Sequence, residues 1–137
     1  MTRTIVLSTL SALALIAAAG GVTLAAQTPQ TPTQVYMAYR AAFDKATKME
    51  DIRPFLAKKG RAEMDAMPAK ERPEFFKMIK DMGTMATVKV SKETMTETGA
   101  TLLVDAVNPN KVKMTCEVTM VKEDGAFKIA VESWGAK

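Results

Sequence analysis

Histidine is absent from all 137 residues. That excludes a histidine base, any triad containing histidine and any histidine-ligated metal site by inventory alone. Cysteine occurs once, at Cys116, so no internal disulfide can form. There is one tryptophan and there are two tyrosines, and aromatics make up 6% of the chain, so each large ring carries weight in the argument. Neither sign of charge dominates: 19 basic residues face 15 acidic ones, a net +4 with the lysines scattered, and nucleic acid is not an expected partner. The length leaves room for one domain, and no internal repeat or low-complexity stretch is evident.

What the chain does have at its start is one basic residue, Arg3, and a nearly continuous apolar run from Ile5 to Ile16. Small residues then continue through Ala26. This pattern is that of a secretory signal over 1–26, cleaved near Ala26, followed by a linker over 27–33 and a single domain over 34–137. The alternative is an uncleaved anchor, because residues 5–26 are long enough to span a bilayer. No cysteine follows the apolar run, so a lipid-anchored form is not expected. After cleavage the protein would be secreted, or periplasmic in a diderm host, with no membrane attachment. Removing Arg3 with the leader lowers the net charge to +3.

Helical signals follow. Thr31-Pro32-Thr33-Gln34 fits a capping box, with Pro32 at the first helical position. The helix it opens should run to about Ala46, with Val35, Tyr39, Ala42, Phe43 and Ala46 on one face and Arg40, Asp44 and Lys45 off it. A short turn is expected around Pro54, ending at Gly60, and another over 61–67, stopped by Pro68. A longer helix then starts near Pro73, shows Phe75, Phe76, Ile79 and Met82 on its apolar face, and ends at Gly83.

From Met85 the period changes to two. Strands are expected to about Thr94, over 101–107 and over 111–123, and then beyond an Asp124-Gly125 hairpin turn. Val112, Met114, Cys116, Val118 and Met120 alternate with polar residues, and Phe127, Ile129 and Val131 continue the stripe, with Lys128, Ala130 and Glu132 opposite. In the second strand, Leu102, Val104 and Ala106 compete with Leu103, Asp105 and Val107 for the inside. The cost of a buried unpaired carboxylate turns Asp105 outward. A strand over 111–123 would measure about 44 Å, longer than a domain about 35 Å across, so it must bend or bulge. The expected fold is α+β: N-terminal helices packed on one face of a curved four-stranded antiparallel meander.

A secreted chain with the opening helix TPTQVYMAYRAAF, a short helix around DIRPFLAKKG and the terminal hairpin VTMVKEDGAFKIAVESW resembles the small bacterial members of the nuclear transport factor 2-like superfamily. The resemblance covers roughly residues 31–134 and is most specific in VKEDGAFKI. It implies a cone with a pocket at its open end, on a fold that serves isomerases, dehydratases and cyclases as well as binding and accessory domains. The enzyme branches need a carboxylate, tyrosine or histidine in the cone, and the expected inward stripe carries no carboxylate. An acid and tyrosine pair would have to come from Tyr36, Tyr39 and Asp105, and Asp105 faces out. No catalytic residue, cofactor or metal ligand is therefore assigned.

The expected function is a binding or accessory domain for a small apolar molecule, with Tyr39, Phe43, Met114, Cys116 and Phe127 as candidate pocket lining. A filled core is the plain alternative for the same residues, and Cys116 reads as a buried small hydrophobe. Two further readings stay open: a small pocket enzyme, and a copper handler using methionine thioethers at Met64, Met67, Met78, Met82 and Met85 among the eleven. Strand parity also sends Leu103, Val107, Val121, Ala130 and Trp134 outward, an apolar strip suited to a weak homodimer. A bulge near Glu132 would reverse that parity and bury Trp134 in the chain's own core.

Overall fold

The computed structural model of the chain describes residues 30–137. The expected leader over 1–26, and residues 27–29 of the expected linker, lie outside the described residues. Three helices precede four strands: α1 (Pro32–Lys45), α2 (Lys58–Ala66), α3 (Arg72–Gly83), β1 (Thr87–Met95), β2 (Gly99–Val107), β3 (Lys113–Glu123) and β4 (Ala126–Ala136). Two 3-10 turns, Met49–Asp51 and Arg53–Phe55, link α1 to α2. The strands form one open antiparallel sheet in the order β1-β2-β3-β4, so the fold is α+β.

α1 begins as its sequence dictates. The Thr31 side chain accepts from the Gln34 backbone N–H at 3.1 Å while the Gln34 side chain accepts from the Thr31 N–H at 2.9 Å. Two of the four donors that a helix start leaves open are thereby satisfied. At its other end, Lys80 Nζ reaches across from α3 to the Phe43 and Asp44 carbonyls, at 2.6 and 3.0 Å. α2 starts at Lys58, so Gly60, expected to end the turn around Pro54, lies within it.

The core lies between α1 and the inner sheet face. Val35, Tyr36, Tyr39 and Phe43 pack with Ala100, Leu102, Val104, Cys116, Val118, Met120 and Ile129, joined by Met64 from α2 and Phe76 from α3. The second strand takes the expected register, with Leu102, Val104 and Ala106 inside and Asp105 on the other face, 3.0 Å from Lys137 Nζ. Some stripes differ. Phe75 and Met82 of α3 are exposed, leaving Phe76 as its buried anchor. Val112 precedes β3 and is also exposed, its N–H held by the Asn108 side chain.

The β3–β4 hairpin closes through Asp124 (φ 51°) and Gly125 (φ 79°), the paired positive φ values of a two-residue hairpin turn. Beyond it the register slips: Met120 pairs with Ile129 but Thr119 pairs with Val131, leaving Ala130 without a partner. One extra residue flips every later side chain to the opposite face. Val131, expected inside, is 55% exposed, while Glu132 and Trp134, expected outside, turn toward the helices. The slip sits where the segment before α2 meets this edge strand: Leu56 bridges Ile129, and the Ala57 N–H donates to the Ile129 carbonyl at 2.8 Å. A second irregularity falls in β1, where Ser91 is passed over and its hydroxyl donates to the Leu103 carbonyl.

Candidate functional site

The bulge brings the Glu132 carboxylate under α1, where two tyrosines one helical turn apart meet it. Tyr36 donates to Oε1 at 2.8 Å and Tyr39 donates to Oε2 at 3.0 Å. Tyr36 is fully buried and Tyr39 nearly so. Burial, and then the negative charge of Glu132, push both phenols far above their ordinary value, so they remain donors at any physiological pH.

Arg40 completes the group. Only 3% exposed, it is the one buried charged residue among those described. Its Nη2 donates to the Gly83 carbonyl and its guanidinium lies between two rings, 4.8 Å from the Phe43 centroid and 5.6 Å from Trp134. Nη1 stands 3.9 Å from Glu132 Oε1, close enough for charge compensation but beyond a hydrogen bond. Nε has no partner. A β-carbon at Gly83 would sit 2.9 Å from Phe43 Cζ, so that ring would have to shift to admit a larger residue.

These residues border a cleft of about 350 Å³ between α1, α3 and β4, lined by Tyr39, Phe43, Ile79, Met82, Glu132 and Trp134, with Arg40 and Gly83. Its walls are largely apolar and its polar side chains, Tyr39, Arg40 and Glu132, lie next to one another, the composition of a small-molecule site. Two larger hollows are more open, and each contains an ion pair. One, of about 520 Å³ around Leu103 and Glu117, contains the Asp105–Lys137 pair, and one of about 560 Å³ contains Arg61–Glu123.

Of the candidate lining residues, Tyr39 and Phe43 border the cleft and the other three do not. Cys116 is buried opposite Trp134, where burial and then Glu132 push its thiol up to about 12, so it stays protonated and unreactive. Met114 pairs near the end of β4 and Phe127 near the hairpin, about 27 Å apart along the sheet. One cavity cannot hold both. Of the candidate dimer residues, Leu103, Val107 and Val121 occupy the outer sheet face, with Leu103 exposed and the two valines half-buried, whereas Trp134 does not belong to that face. Ala130 is the unpaired bulge residue.

Among the methionines considered together, Met64 and Met85 are buried while Met78 and Met82 are exposed. No cluster of three or more cysteine or carboxylate side chains able to hold a metal ion occurs among the described residues.

Of the cleft residues, periodicity places Arg40, Glu132 and Trp134 on the wet side. The i, i+4, i+7 spacing of Tyr36, Arg40 and Phe43 was the available signal for the first. For the other two it was the improbability of leaving the only tryptophan on a polar face. No protein-family model, curated protein or solved structure matches the chain.

Proposed function

We propose that the chain is an exported small-molecule-binding domain that holds a compact, mostly apolar ligand in the cleft between α1, α3 and β4. The observation that carries this reading is the pairing of buried Arg40 with partly buried Glu132 in the lining of a largely apolar hollow. Export is supported by the apolar run from Ile5 and the small residues before Gln27. A nuclear transport factor 2-like cone is supported by the element order, helices and then a four-stranded meander, and by the bulges that bend such sheets. The volume sits at the small end of ligand pockets, about 300–1,000 Å³.

Native mass spectrometry of protein purified gently from its own host tests the reading. A stoichiometric small molecule is expected on a chain beginning near Gln27. A chain that keeps residues 1–26, in a membrane fraction and without ligand, contradicts it.

A second reading, a proton-transfer enzyme, is favoured by Glu132 itself: a carboxylate that accepts from two tyrosine hydroxyls and lines an open cleft is a candidate general base. Turnover of the co-purified molecule that disappears in Glu132→Gln while binding persists would select it.

A further inference from the structure

We infer that the cleft selects a neutral ligand whose polar end is a hydroxyl group, an alcohol seated between Arg40 and Glu132; this rests on the small-molecule reading of the cleft. Each charge has hydrogen-bonding capacity left to offer. Arg40 Nη2 is committed to the Gly83 carbonyl, while Nη1 has no acceptor within hydrogen-bond distance among the described residues and stands 3.9 Å from Glu132 Oε1. Each Glu132 oxygen accepts one tyrosine hydrogen bond, and a carboxylate oxygen has capacity for a second.

One oxygen atom at ordinary hydrogen-bonding distance from both Nη1 and Oε1 would accept from the first and donate to the second. A hydroxyl does both at once. A carboxylate head would gain Arg40 but be repelled by Glu132, and an ammonium head would gain Glu132 but be repelled by Arg40, with little solvent to screen either. An ether accepts but cannot donate. The body of the ligand would lie against Phe43, Ile79, Met82 and Trp134, which demand an apolar, compact shape.

The test uses one apolar body with different ends, read by the fluorescence of Trp134, the only tryptophan and a cleft residue. Cyclohexylmethanol, its methyl ether, methylcyclohexane, cyclohexanecarboxylate and cyclohexylmethylamine do not absorb where tryptophan does. In the wild type cyclohexylmethanol is expected to bind at least tenfold more tightly than any of the other four. In Glu132→Gln, with Arg40 left uncompensated and native circular dichroism as the folding control, preference is expected to pass to the carboxylate. Equal binding of all five in the wild type overturns the hydroxyl inference while leaving the apolar cleft as a binding site. Failure of all five to bind overturns both.

Discussion

Glu132 accepts a hydrogen bond from Tyr36 at 2.8 Å across a sequence separation of 96 residues, tying the edge strand to the first helix. The same carboxylate takes Tyr39 through its other oxygen and faces Arg40. The pair is therefore the point where fold and candidate site depend on each other. Replacing Glu132 with alanine strips two buried hydroxyls and a buried guanidinium of their acceptor or counter-charge. A loss of about 3–5 kcal/mol is expected, as for a broken buried pair. Tyr36→Phe removes a single charge-assisted bond and should cost about 1.5–3 kcal/mol. Urea midpoints at neutral pH check both. A loss below about 1 kcal/mol for Glu132→Ala would mean that the carboxylate is solvated rather than built in.

Most of the helix-to-strand plan was legible because it is written in local chemistry: the capping box at Thr31, the two-residue turn at Asp124-Gly125, and the penalty on burying Asp105. The site was not, because one unpaired residue decides it. Phe127, Ile129 and Val131 alternate without interruption, and nothing local marks Ala130 as the place where the count slips. The slip answers to contacts distant in sequence, the Ala57 N–H on the Ile129 carbonyl and the tyrosines on Glu132. Arg40 was obscured for a related reason. Periodicity sorts residues by polarity, and this arginine is buried against the rings of Phe43 and Trp134.

Trp134 belongs to the helix-facing side, so its truncation should act on stability and the cleft rather than on association. Trp134→Ala is expected to cost roughly 2 kcal/mol, less than a fully buried tryptophan because the ring is only partly buried. Weak self-association through the outer face would instead rest on Leu103 and Val131, which are 42% and 55% exposed but separated by Glu117 and Thr119 of β3. Sedimentation velocity over a concentration series is expected to show the same behaviour for wild type and Trp134→Ala, with association lost in the Leu103→Lys/Val131→Lys double variant. A selective loss of association in Trp134→Ala would contradict the placement of that ring.

Gly83→Ala sets two effects against each other. Alanine is favoured over glycine in a helix by about 1 kcal/mol, whereas overpacking costs about 1–3 kcal/mol. Because the new methyl would approach Phe43 Cζ at 2.9 Å, and that ring is held between Arg40 and Lys80, overpacking should win. A net destabilisation of roughly 1 kcal/mol with altered Trp134 fluorescence is expected in thermal melts. A rise in melting temperature would show that Phe43 has room to move.

The central claim is that the bulge at Ala130 carries Glu132 inward to both tyrosines, and alkaline titration tests it directly because Tyr36 and Tyr39 are the only tyrosines in the chain. Their folded values are raised, first by burial and then by Glu132, above the unfolded value of about 10, so the stability held in these hydroxyls is complete below about pH 10 and is lost as pH rises beyond it. Cys116, raised to about 12, adds to the same loss from about pH 9 upward. Tyrosinate absorbance and far-ultraviolet circular dichroism recorded on one sample should therefore change together, in a single cooperative step above about pH 10. Tyrosinate appearing near pH 10 while the circular dichroism remains native would place the hydroxyls in water and contradict the account.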